Sequence, residues 1–176
     1  EKFLKSMEMD LNSSLSYDKK LYEEYIVGSA EVVGLMCLKV FLQGDEKMYV
    51  ELEENARALG AAFQKINFLR DFKDDYEGLG RVYFPSVNFN AFNNLQKSDI
   101  EKDIENDFKK GYEGILKLPK AARFGVYMAY NYYYRLFKKI KSLDATVILK
   151  ERIRIPDNKK YALILGSYIK HSFNLL

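Results

Sequence analysis

The stretch GAAFQKINFLRDFKDDYEGLGRVYFP, residues 60–85, decides how this chain is read. Set on a helix at about 100° per residue, Gln64, Asn67, Asp71 and Asp75 fall within an arc of roughly 80°. The opposite side carries Ala62, Ile66, Leu69 and Phe72. One helix therefore buries an apolar side and presents two amides and two carboxylates as a single row. That row suits a hard cation. Mg²⁺ prefers oxygen ligands, takes one or two carboxylates, and fills its shell with waters and phosphate oxygens. Two aspartates at i and i+4 can hold such an ion against a diphosphate, and the metal neutralises the leaving group as its C–O bond breaks. Arg70 and Arg81 add positive charge for phosphate. The plainer reading of DFKDD is a solvated helix end. Gln64 and Asn67 on the same row favour the cation, because helix propensity gives amides no reason to line up there.

Working outward, helical signals dominate. Residues 2–12 read as a short helix with Phe3, Leu4, Met7 and Leu11 on one side. Asp18 is an N-cap for a long helix from Lys19 to Leu42, which Gln43-Gly44-Asp45 stops. The aspartate helix is expected over 46–73. Gly78, Gly80, Pro85 and several asparagines make 74–94 a loop with at most a short helical turn. Further helices are expected over 97–118, over 120–143 behind Pro119, over 145–153, and, past Pro156-Asp157-Asn158, over 159–174. No segment has a convincing strand period, and nothing divides the chain into two domains. Asp99, Asp103 and Asp107 share a helical spacing in a Lys- and Glu-rich stretch and read as surface.

Composition narrows the function classes. The chain has 176 residues, 48% of them hydrophobic, with a formal net charge of +3. No arginine-rich or glycine–aromatic module of the nucleic-acid-binding kind is present. The single Cys37 rules out an internal disulfide and suits a reducing cytoplasm. The lone His171 cannot build a histidine metal site. Because no charge-free apolar run of about 18 residues occurs, no membrane span is expected. The 14 tyrosines and 12 phenylalanines serve a core first, and they also suit a pocket for a long hydrocarbon.

Residues 64–85 resemble the second aspartate-rich signature of the squalene/phytoene synthase family, Q-x-x-N-x-x-R-D-x-x-x-D followed by a Gly/Arg loop ending in Y-x-P. Here Gln64, Asn67, Arg70, Asp71, Asp75, Arg81, Tyr83 and Pro85 occupy the positions. EEYIVGSAEVVGLMCLKVF, residues 23–41, is similar to the family's Y-x-x-G-x-A-x-x-V-G-x-M helix through Tyr25, Gly28, Ala30, Val33, Gly34 and Met36. Small residues there imply a close approach to the backbone, either by another helix or by a prenyl chain. FLKSMEMDL at 3–11, with Asp10, resembles the family's F-x-x-x-M-x-x-D-L segment. YMAYNYYYRLFKKI and ERIRI, 127–140 and 151–155, are similar to its closing region. The wording of LGRVYFP and ERIRI is most like bacterial phytoene synthases.

The resemblance implies an all-α fold of the isoprenoid synthase type, a helical bundle around a central cavity with the aspartates at its mouth. It implies head-to-head condensation of two geranylgeranyl diphosphates to phytoene. The alternatives are squalene or dehydrosqualene synthesis from farnesyl diphosphate, and a non-catalytic relative acting as an assembly protein. Asp71, Asp75 and Asn67 would hold Mg²⁺, or Mn²⁺ in its place, and NADPH would enter only for a squalene-type product. Gln64, Asn67, Arg70, Ala30, Val33, Gly34, Tyr133 and Arg152 would bind substrate, with Asp71, Asp75 and Tyr25 catalytic and Tyr25 near the cationic intermediates. The family's first D-x-x-x-D motif would precede Glu1. Residues 1–176 are therefore expected to form the C-terminal part of one isoprenoid synthase domain, inactive by itself. Peripheral membrane association through the basic, apolar helix expected over 159–174 is also anticipated.

Overall fold

The computed structural model describes residues 1–11 and 17–156, and every regular element among them is helical. The order is α1 (Lys2–Met9), α2 (Lys19–Ile26), a π-helical turn (Val27–Glu31), α3 (Val32–Leu42), α4 (Glu46–Arg70), α5 (Phe72–Leu79), a 3₁₀ turn (Phe89–Ala91), α6 (Asn94–Lys117), α7 (Lys120–Lys141) and α8 (Ala145–Ile148). Helix α4 is the central strut, packing on α3, α6 and α7. Its buried face holds Ala62, Ile66, Leu69 and, past its end, Phe72, the apolar set that periodicity assigned.

Side-chain caps fix the starts of α2, α4, α6 and α8. Asp18 accepts from the Leu21 N–H at 2.8 Å and Asp45 from the Met48 N–H at 2.9 Å. Asn93 accepts from both Leu95 and Gln96 at 2.9 and 3.1 Å. This last cap starts α6 at Asn94, earlier than the 97 expected, and Pro119 opens α7 as anticipated. Such caps satisfy N–H groups that the first helical turn leaves without partners.

Several expectations are corrected. The aspartate helix does not run unbroken to 73. It ends at Arg70, Asp71 takes φ −101° and ψ 9°, and α5 resumes at Phe72 and continues to Leu79. The segment 74–94 therefore begins as helix, and its loop starts only at Gly80, whose φ of 67° ends α5 in the left-handed region. Helix α7 stops at Lys141 and α8 is a single turn. On α1 Leu4 is exposed, as is Leu11 just past its end, while Ser6 and Met9 are buried, so the apolar side read from sequence is not the packed one. A Cβ at Gly28 would stand 2.6 Å from the Lys2 carbonyl oxygen and 2.7 Å from Ser6 Cβ. The bundle thus selects the small, close-fitting face of α1. The helix expected over 159–174 lies outside the described residues.

α2, the π turn and α3 form one helix, Lys19–Leu42. With a mean hydropathy of 1.7 in its most apolar window, it is long and apolar enough to cross a membrane by length and composition. The sequence expectation of no such segment is corrected to that extent. Only 33% of that window is buried, and Met36 and Val40 are exposed, while its middle packs on α4. The Glu31 carboxylate meets Arg57 of α4 at 3.5 Å. Cβ atoms at Gly34 and Gly60 would each lie 2.5 Å from a backbone oxygen across the joint, that of Ala56 and of Ala30. Helix packing therefore accounts for Gly28 and Gly34.

Candidate active site

The break at Asp71 builds the polar end of the site. The chain nevertheless keeps helical continuity, with Asp71 N–H donating to Asn67 O at 2.9 Å and Asp75 N–H to Asp71 O at 2.8 Å. Gln64, Asn67, Asp71 and Asp75 thus remain a row across two helices instead of one. The extended arm 152–155 is anchored by buried Ile153 and Ile155, and Ile153 N–H donates to the Arg70 carbonyl at 3.3 Å. That bond places Arg152 beside the row.

Asp71 is heavily neutralised. Arg70 grips it bidentately, Nε to Oδ1 at 3.0 Å and Nη2 to Oδ2 at 2.5 Å. Arg152 Nε reaches Oδ1 at 2.6 Å. Asp75 has no ion pair of its own among the described residues. Burial, then the charges of Asp71 and Asp74, push its carboxyl up to about 6, against the pull of Arg81 and Arg152. The Asn67 side-chain oxygen is buried without a hydrogen-bond partner, while its amide N–H₂ points to Gln64 at 3.4 Å.

These groups fit a divalent cation. A buried acceptor left unpaired carries a cost that a ligand would remove. Arg81 and Arg152 favour the charged form of Asp75 less than burial and the charges of Asp71 and Asp74 oppose it. Among the described residues no three Asp, Glu, His or Cys side chains converge as a cage. Two carboxylates and one amide oxygen leave coordination positions for phosphate oxygens and water, the usual habit of Mg²⁺.

Beside Gln64, the first residue of the row, opens an apolar cavity of about 720 Å³, within the size range of small-molecule sites; Asn67, Asp71 and Asp75 do not line it. Gln64 stands in its wall together with Ala30, Val33, Gly34 and Phe63. The structure thus gathers Gln64, Asn67, Arg70, Asp71, Asp75 and Arg152 in one polar group, which meets Ala30, Val33 and Gly34 in the cavity wall through Gln64. Tyr133 is half-buried and reaches the cavity only through Phe63, on which it stacks at 4.1 Å. The sequence carried no signal for that partnership.

Tyr25 is placed differently from the other candidates. It is buried, does not line the cavity, and its hydroxyl donates to Asp10 at 3.0 Å. Around it lie Tyr83 at 5.4 Å, Tyr17 at 5.5 Å and Phe68 at 6.0 Å between ring centres. Burial, with Tyr83 and Asp10 adding to it, drives its phenol far above the usual tyrosine range. Arg81, read from sequence as phosphate-binding, is buried; its Nη1 meets Asp10 Oδ1 at 3.2 Å and its Nη2 the Asp10 carbonyl at 2.8 Å. Arg81 therefore ties α1 to the loop after α5. Asp103 and Asp107 are not both plain surface either, since they close on Lys65 of α4 at 2.5 and 2.7 Å.

The squalene/phytoene synthase family matches residues 1–159. A bifunctional lycopene cyclase/phytoene synthase from Blakeslea trispora is 25% identical over 188 aligned positions, covering 93% of this chain and 30% of that protein. A 4,4'-diapophytoene synthase from Staphylococcus haemolyticus is 33% identical over 84 positions, covering 48% of this chain and 28% of that protein. The chain thus spans less than a third of the length of these relatives.

Proposed function

Because the chain belongs to the squalene/phytoene synthase family, we propose that the protein it represents condenses two allylic prenyl diphosphates head to head, and that geranylgeranyl diphosphate is the substrate and phytoene the product. Residues 1–176 would form the C-terminal part of that catalytic domain. The observation that carries the reading is the row itself: an orphaned Asn67 oxygen and an under-neutralised Asp75 beside Asp71, with Gln64 of the same row in the wall of an apolar cavity.

Held by Asp71, Asp75 and Asn67, Mg²⁺ or Mn²⁺ would supply the positive charge that lets diphosphate depart. Arg70 and Arg152 now spend their N–H groups on Asp71. Phosphate oxygens compete for the same donors, so substrate would draw the guanidinium groups away and free Asp71 to ligate. Ionisation leaves an allylic cation on the first substrate. The C2–C3 double bond of the second attacks it and, on loss of a proton, gives a cyclopropylcarbinyl diphosphate. A second ionisation and rearrangement then end in proton loss for phytoene, or in hydride transfer from NADPH for squalene. The walls at Ala30, Val33 and Phe63 keep water from the cations. Tyr25, buried among Tyr17, Phe68 and Tyr83, takes no part in the cavity wall.

A C15 substrate giving dehydrosqualene is the second reading, supported by the similarity to the diapophytoene synthase. Retention of the row speaks against a purely structural relative, which has no use for it. Product analysis of the full-length protein with C15 and C20 diphosphates, with and without NADPH, tests these readings. Phytoene from the C20 substrate without NADPH is expected. A C15 preference selects the second reading, and no condensation of either substrate overturns both.

A further inference from the structure

Arg81 is 4% exposed, and a guanidinium so deeply buried needs protein acceptors and a counter-charge. Two carboxylates stand near it. Its backbone N–H donates to the Asp75 carbonyl at 3.1 Å, in the turn that ends α5, and its charge acts on the Asp75 carboxyl. The side chain nevertheless pairs elsewhere. Nη1 meets Asp10 Oδ1 at 3.2 Å and Nη2 donates to the Asp10 carbonyl at 2.8 Å, and the guanidinium also bonds the Tyr83 side chain. Its ion pair is with Asp10.

Asp10 is itself held in place. It caps the end of α1, where its N–H donates to the Met7 carbonyl at 3.1 Å. The Tyr25 hydroxyl donates to its two carboxylate oxygens, at 3.0 and 3.2 Å. Tyr25 in turn is fixed among the rings of Tyr17, Phe68 and Tyr83. A chain of contacts therefore runs from α2 through Asp10 to Arg81, and it ends beside the row.

Neutralising Asp10 would leave a buried guanidinium without its carboxylate, which is costly. Asp75, already its neighbour, is the carboxylate to which it would turn. An Arg81–Asp75 pair would do at Asp75 what Arg70 and Arg152 do at Asp71, and both carboxylates of the row would then be closed to a cation by arginines. We infer that Asp10 is a positioning residue of the candidate cation site: by holding Arg81, it keeps the Asp75 carboxylate open to a divalent cation. This rests on the proposed function and adds to its site a residue of the α1 end, acting through Arg81.

The test uses the full-length protein and reads the joint binding of Mg²⁺ and inorganic diphosphate by calorimetry, with folding followed by circular dichroism. Asp10→Asn should weaken joint binding by about tenfold or more, the usual cost of losing an outer partner of a metal site. Asp10→Glu, which keeps the charge, should stay within about threefold of the wild type. Adding Arg81→Gln to Asp10→Asn removes the competing guanidinium and should recover most of the loss. A merely structural tie between α1 and the loop is broken in that double variant too, so it gives no recovery. Where Asp10→Asn does not fold, Tyr25→Phe, which loosens Asp10, should weaken binding by a smaller factor that Arg81→Gln again recovers. Unchanged binding in the folded variants, or a loss that Arg81→Gln does not recover, would overturn the positioning role and leave the proposed function intact. A wild type that neither binds Mg²⁺ with diphosphate nor condenses prenyl diphosphates would overturn both.

Discussion

Two aspartate pairs in this molecule share one spacing, i and i+4, and have opposite surroundings. Asp103 and Asp107 on α6 face Lys65 of α4, which is nearly buried and bridges both carboxylates. Burial lowers the Lys65 pKa and the two aspartates raise it, with a net shift upward. Burial likewise lifts Asp107 while Lys65 pulls it back. That pair is complete: the fold supplies its cation. At Asp71 and Asp75 the fold supplies arginines to one carboxylate only, and Asp75, beside the orphaned Asn67 oxygen, waits for charge from outside. Spacing alone does not distinguish a structural pair from a candidate site. The counter-ion across the interface does.

The contrast is broken most directly by activity. In the full-length protein, Asp71→Asn or Asp75→Asn should reduce single-turnover condensation by about 1000-fold, the scale of losing transition-state charge stabilisation. Asp103→Asn, at the half-exposed member of the other pair, should change it by less than about threefold. Similar losses from both pairs would show that the two are not functionally distinct.

Stability should respond the other way. Lys65→Met leaves Asp107 buried without its cation and should cost about 3 kcal/mol in denaturant unfolding. A cost under about 0.5 kcal/mol would mean that water already solvates the pair. Ligand linkage sharpens the other half of the contrast. Mg²⁺ together with inorganic diphosphate, each well above its dissociation constant, should stabilise the full-length protein by about 2.7 kcal/mol at a hundredfold excess. Either alone should do much less, and Asp75→Asn should abolish the joint effect. Thermal shifts with the two ligands separately and combined decide this.

The smallest effect concerns pH. The folded-state pKa of Asp75, about 6, lies above the ordinary 3.8, so its ionised form works against the fold. The penalty is absent below the ordinary value and complete above the folded one. Asp75→Asn should therefore raise the melting temperature at pH 8 by about 2 °C, a gain kept small by solvent screening. The gain should shrink as pH falls through 6 and vanish near pH 3.5. A gain independent of pH would point to packing rather than charge.

What the sequence determined by itself was local. The row Gln64–Asn67–Asp71–Asp75, the buried stripe Ala62–Ile66–Leu69–Phe72 and the Asp18 cap all depend on groups within a turn or two of one another, so periodicity and capping chemistry suffice to read them. The all-α class and the two family-like helices followed from the same short-range patterns. The tertiary structure alone decided which aspartates are already paired, because Lys65 and Asp107 stand 42 positions apart and only the α4–α6 contact joins them. It alone decided that α4 breaks at Asp71 and that the arm 152–155 docks on the Arg70 carbonyl, bringing Arg152 to Asp71. It also chose the packed face of α1, where room beside Gly28 outweighed the hydrophobicity of Leu4 and Leu11. Helix periodicity assigns a side chain to a face, whereas the partner across that face, and hence its charge state and its use, is fixed only when distant segments pack.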